Sequence, residues 1–135
     1  HRASRATKER GFYWHIPRKL NVRLMRSESK SLIGRHDFSS FTATDTWSKK
    51  HRLEKNTVRS LKRIAITSTK GFLYIDIEAD GFLYKMVRNI AGTLIETGTG
   101  KLHKGDIKRI LLSKLRRNAG PTAPAQGLCL LKVKY

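Results

Sequence analysis

Apolar and polar residues alternate most cleanly between Leu61 and Asp80. Ile64 and Ile66 alternate with Ala65 and Thr67. Leu73, Ile75, Ile77 and Ala79 then alternate with Phe72, Tyr74, Asp76 and Glu78. A period of two sends one set to a buried face. Lys70-Gly71 marks a turn between the runs, so the stretch predicts an antiparallel hairpin with one buried face. After Gly81 the period lengthens. Leu83, Val87, Ile90 and Leu94 share one face of a predicted helix, widened by Met86 on one side and by Tyr84 and Ile95 on the other. Gly98 and Gly100 mark its end. Lys85, Asn89 and Glu96 fall on the wetter side, and Arg88 lies about 140° from Leu83, at the border of the apolar arc.

Elsewhere the pattern is shorter. Gly11-Phe12-Tyr13-Trp14-His15-Ile16 is rich in aromatics and predicts a strand stopped by Pro17. The ten residues before it read as an extended or loop segment. Asn21 can cap a helix from Val22 to Ile33, with Gly34 as its stop. Phe38 and Phe41 predict a helical turn pinned to the core. His36 and Asp37 could form an acid–base pair, but adjacent residues on a helix point apart, which favours a capping role for Asp37. Thr42 to Ser60 is polar and basic, and a loop of that length in a compact domain is usually functional or mobile. Asp106 to about Leu115 predicts an amphipathic helix with Ile107, Ile110, Leu111 and Leu115 inward. Asn118-Ala119-Gly120-Pro121 ends it, Thr122 to Gln126 is a loop, and Leu128 to Tyr135 is a last strand. The order strand, helix, loop, hairpin, helix, helix, strand predicts an α+β domain, an antiparallel sheet with helices packed on one face.

A guanidinium on the rim of a packed face needs a partner, because an unpaired buried charge costs several kcal/mol. From periodicity alone, Arg88 can lay its stem along the core edge and end in water. The alternative is a carboxylate from outside this chain.

The 135 residues suit one domain, and 39% hydrophobic content suits a folded one. The net charge of +19 exceeds what solubility requires and predicts a polyanionic partner. Candidate RNA-gripping residues are Arg2, Arg5, Lys8 and Arg10 near the start and Lys49, Lys50, Arg52, Lys55 and Arg59 in the long loop. A membrane surface is the other polyanion, but no strongly amphipathic Lys/Arg helix with exposed bulky residues is apparent. No apolar run is long enough to span a bilayer, no signal peptide is seen, and the start of the chain is expected to lie inside a longer protein. The single cysteine, Cys129, fits a reducing cytoplasm and packing among Leu128, Leu130 and Leu131. No cysteine or histidine cluster has metal-ligand spacing.

Three stretches carry a resemblance. They are Gly34-Arg35-His36-Asp37-Phe38-Ser39-Ser40-Phe41, Gly81-Phe82-Leu83-Tyr84-Lys85-Met86-Val87-Arg88-Asn89-Ile90-Ala91-Gly92, and Ala123-Pro124-Ala125-Gln126-Gly127-Leu128-Cys129-Leu130. In order and spacing the chain resembles the C-terminal domain of the tRNA pseudouridine synthase A family over essentially its whole length. Arg10 to Pro17, followed by Leu20-Asn21, is similar to the motif before that domain's first helix. The resemblance implies a pseudouridine synthase-like half spanning residues 1–135. It implies an isomerase that converts uridine to pseudouridine in the anticodon arm of tRNA, without cofactor or metal. An aspartate attacks the nucleoside of a base flipped into a cleft between two similar domains. The glycosidic bond breaks, the uracil turns, and it rejoins through carbon 5. The arginine matching Arg88 pairs with that aspartate, and an opposite charge with a two-pronged hydrogen bond keeps a carboxylate ionised and aimed. Leu128 matches an apolar residue packed against the active site. The implied partners are tRNA, the N-terminal domain and, as a homodimer, a second copy.

Two departures qualify the likeness. The nucleophile's Arg-Thr-Asp motif belongs to the N-terminal domain and is absent here. Gly34-Arg35-His36-Asp37 mimics it, but its sequel matches the noncatalytic motif, so Asp37 is not assigned as nucleophile. This chain alone is expected to be catalytically silent. Where the family has a tyrosine that stacks on the target base, Phe12 stands, or Tyr13 if the register is one residue off. Phenylalanine can stack but cannot accept a proton. The competing reading is a noncatalytic basic RNA-binding module of the same architecture. Either way, RNA affinity should fall steeply with salt, each neutralised phosphate adding about −0.7 to −0.9 to the log–log slope. A flat dependence in a filter-binding titration would remove the electrostatic argument.

Overall fold

The computed structural model describes residues 14–42 and 56–124 throughout, and residues 2–5 and 128–132 by their backbone. Five strands form one sheet in the order β2-β3-β4-β1-β5. They are β1 (Arg2–Arg5), β2 (Gly34–Asp37), β3 (Val58–Thr69), β4 (Phe72–Ala79) and β5 (Leu128–Lys132). Every neighbouring pair is antiparallel. Three helices, α1 (Val22–Ser29), α2 (Met86–Thr99) and α3 (Asp106–Ser113), complete the α+β fold.

The hairpin forms as the alternation predicts. Ile64 stands opposite Ile77 and Ile66 opposite Ile75. Lys70 and Gly71 both take positive φ, as a tight two-residue hairpin loop demands. Ile75, Ile77 and Ala79 are buried beneath the helices. The Asn21 side chain accepts the Leu24 amide at 3.1 Å and caps α1, which tightens into a 3-10 turn at Lys30–Leu32 before Gly34. A second 3-10 turn, Ser39–Phe41, carries the predicted aromatic pair, and Phe38 and Phe41 are both fully buried.

Several expectations are corrected. Trp14 to Ile16 is not a strand. The place beside β4 is taken by β1, where Arg2 stands opposite Glu78, and Trp14 and Ile16 pack against the core from irregular backbone. Val58 to Ser60 is strand rather than loop, because the edge strand β2 pairs with it, His36 opposite Arg59. Leu83, Tyr84 and Lys85 precede α2 instead of opening it. The Met86 amide bonds the Leu83 carbonyl at 3.0 Å, and Lys85 takes a left-handed φ of 58° that no continuing helix allows. Leu115 points outward, 41% exposed, because α3 ends at Ser113 and Lys114 reverses the chain with a positive φ.

Candidate functional site

Helix α2 is the axis of the core. Between Met86 and Gly98 every residue is buried except Arg88 and Glu96. An amphipathic face alone would not do this. The helix is covered by the sheet and α1, and along a third side by the segment from Arg116 to Ala123. That third contact is close. A Cβ at Gly92 would fall on the carbonyl oxygen of Pro121, and one at Gly120 would come within 2.8 Å of the Thr93 Cα. Glycine at both positions lets backbone lie against backbone.

Arg88 is half-buried at the end of this contact. Its Nε donates to the Ala123 carbonyl at 2.8 Å, while the Ala123 amide donates back to the Arg88 carbonyl at 3.0 Å. No carboxylate among the described residues stands within ion-pairing distance, and neither Nη has a hydrogen-bond partner among them. Neither Asp76 nor Glu78 pairs with it.

Asn89 is corrected outright. The helical wheel sets it on the wetter side, yet it is fully buried. Its Nδ2 donates to the Phe41 carbonyl at 2.6 Å. Its Oδ1 accepts from the Thr122 hydroxyl at 2.6 Å and from Arg116 Nη2 at 3.1 Å. Arg116 also donates to the Gly120 carbonyl at 2.8 Å and to the Thr122 hydroxyl at 3.2 Å. Burial lowers the pKa of its guanidinium from the usual arginine value. Thr93 closes the cluster, donating to the Asn89 carbonyl at 2.7 Å and accepting the Gly120 amide at 2.9 Å. Sequence reasoning missed Asn89, Thr93, Arg116 and Thr122. The available signal was the four-residue spacing of Asn89, Thr93 and Thr97, a polar stripe along the helix.

Asp37 is occupied elsewhere. It accepts the Ser39 amide at 3.0 Å and the Thr57 hydroxyl at 2.6 Å, with Lys114 Nζ at 4.0 Å. Burial pushes its carboxyl up, but those hydrogen bonds and the Lys114 charge outweigh it, leaving the pKa below the usual carboxylate value. His36 turns to the Ile33 carbonyl at 2.8 Å instead. Arg59 sits in β3 and donates to the Asn56 and Val58 carbonyls, both at 2.8 Å. Arg2, Arg5 and Leu128 are placed by backbone alone. Phe12, Tyr13, Lys8, Arg10, Lys49, Lys50, Arg52 and Lys55 lie outside the described residues. Among the described residues, no group of three potential ligands could hold a metal ion, and no helix is long and apolar enough to cross a membrane.

A family model described as tRNA pseudouridine synthase matches residues 29–135. The chain belongs to the tRNA pseudouridine synthase family. It is 43% identical over 126 residues to tRNA pseudouridine synthase A of Thermoanaerobacter sp. (strain X514), covering 93% of this chain and 49% of the relative. Against the protein of the same name from Shouchella clausii it is 44% identical over 126 residues, 93% of this chain and 46% of the relative. Against that of Myxococcus xanthus the identity is 39% over 135 residues, covering 99% and 49%. The chain thus spans about half the length of the curated relatives it matches. In this pseudouridine synthase domain the three stretches that carry the resemblance meet at α2. Phe41 of the first takes the amide of Asn89 in the second, and Ala123 of the third holds Arg88.

Proposed function

We propose that this chain is the arginine-bearing half of a tRNA pseudouridine synthase, which isomerises uridine to pseudouridine in the anticodon arm of tRNA. The observation that carries the reading is the state of Arg88. Its Nε is fixed on the Ala123 carbonyl, and both Nη nitrogens have no partner among the described residues. A planar guanidinium held by its inner nitrogen presents a two-pronged donor edge that fits a carboxylate. The aspartate of the other half is the fitting occupant. Paired there, it stays ionised and aimed at the nucleoside of a base flipped between the halves. It attacks, the glycosidic bond breaks, the uracil turns and bonds through carbon 5, the bond to the aspartate is released, and the proton lost from carbon 5 is matched by one gained at the freed ring nitrogen. The product is an isomer, so no oxidant, reductant or cofactor is required. Phe12 stacks on the base and Leu128 packs behind it. The +19 charge grips the phosphates, with Arg2, Arg5, Lys8, Arg10, Lys49, Lys50, Arg52, Lys55 and Arg59 as candidates. A second copy of the enzyme is the expected oligomeric partner, and the cytoplasm the expected compartment.

The test is a tRNA transcript labelled with tritium at uridine carbon 5, incubated with the complete protein. Tritium is expected in the water in proportion to pseudouridine formed. Tight binding of the transcript with no tritium released would replace this reading with the noncatalytic RNA-binding module.

A further inference from the structure

The cluster beneath Arg88 does more than fill space. Arg88 has a single anchor for its guanidinium among the described residues, the Ala123 carbonyl. That carbonyl is itself placed by the segment before it. The Thr122 hydroxyl bonds Asn89 Oδ1, Arg116 bonds the Gly120 carbonyl, and the Gly120 amide bonds the Thr93 hydroxyl. Asn89 follows Arg88 directly on α2, and Thr122 directly precedes Ala123. The two side chains therefore fix both ends of the Arg88–Ala123 bridge at once. We propose that Thr122 and Arg116, acting through Asn89, are positioning residues that set the angle at which the Arg88 guanidinium meets its carboxylate.

The chemistry of the cluster supports this over simple filling. Arg116 meets only uncharged oxygens among the described residues: the Gly120 carbonyl, the Asn89 amide and the Thr122 hydroxyl. A half-buried cation with no counter-charge among the described residues is a poor source of stability, and an apolar residue would fill the same space at less cost. What three directional bonds provide is orientation. Asn89 Oδ1 receives both donors, which turns its Nδ2 to the Phe41 carbonyl and leaves one amide orientation. Orientation matters here because a two-pronged contact tolerates little misalignment, and a shift of about 1 Å can cost about a hundredfold in rate.

The inference rests on the reading of Arg88 given above, and the experiment separates the two. In the complete protein, Thr122→Val keeps the shape of the side chain and removes the hydroxyl, and Thr122→Ser keeps the hydroxyl. The rate of tritium release is measured per folded molecule, with the folded fraction taken from thermal melts. Thr122→Val is expected to lower kcat about tenfold with KM for tRNA unchanged, and Thr122→Ser to restore it to within about twofold. Arg116→Lys keeps the charge but loses the fork, and should lower kcat in the same way by a second route. A Thr122→Val enzyme with unchanged kcat per folded molecule would overturn the proposal, whatever its melting temperature. So would a rise in KM alone. Arg88→Gln runs alongside: if it reacts at the parental rate, the reading of Arg88 fails first.

Discussion

Arg88→Ala in the complete protein should lower tritium release from labelled tRNA at least about a hundredfold, with tRNA affinity within about twofold of the parent. The asymmetry follows from where Arg88 stands. One guanidinium adds little to a +19 surface, so RNA binding scarcely notices its loss. A carboxylate that depends on it for charge compensation loses both its ionised state and its aim. Arg88→Lys should be nearly as poor. The ammonium is a point charge, and it cannot hold the Ala123 carbonyl with one nitrogen while presenting two more in a plane. Filter binding and tritium release on the same preparations separate the outcomes. Equal loss of binding and of reaction would count against a role in the chemical step.

Gly92→Ala should destabilise the domain by about 3 kcal/mol and lower its melting temperature by about 10 °C. The sign makes the test discriminating. In an exposed helix interior, alanine is better than glycine by up to about 1 kcal/mol. Here the added methyl collides with the Pro121 carbonyl, a backbone atom tied into the Thr93 and Asn89 bonds on either side. The chain cannot yield without giving up those bonds or the core contacts of α2. A loss below about 1 kcal/mol by thermal melting would show that the 120–123 segment slides freely on the helix.

Much of this was legible in the residues. The hairpin came from a period of two because both strands bury one face and wet the other. The cap at Asn21 came from side-chain chemistry, whereas Asp37 ends β2 and takes the Ser39 amide without being the cap of the turn that follows. The failures share a cause. Asn89 and Leu115 were placed by a wheel that assumes one buried face and a helix running to its expected end. Helix α2 is covered on a third side by a segment far along the chain, so a polar residue there is buried and satisfied. Helix α3 stops two residues early, so an apolar one is exposed. Trp14 to Ile16 has the composition of a strand, but a position in a sheet is also set by which segment takes it, and β1 holds the place beside β4. The Arg88 site was half legible. Its place on the rim of a buried helix was readable from sequence, and among the described residues no acid pairs with it, but its anchor at Ala123 and the cluster beneath had no local signature.

The position of β1 has a consequence for biosynthesis. It lies between β4 and β5, with Arg5 opposite Leu128. A nascent chain emerging from the ribosome can pair β1 with β4 once the hairpin is out, but the other flank of β1 stays bare until β5 follows. An unpaired strand edge invites association with other chains. Ribosome stalling or early termination just before Leu128 should therefore leave β1 as a bare edge of the sheet and yield an intermediate prone to pairing with other chains.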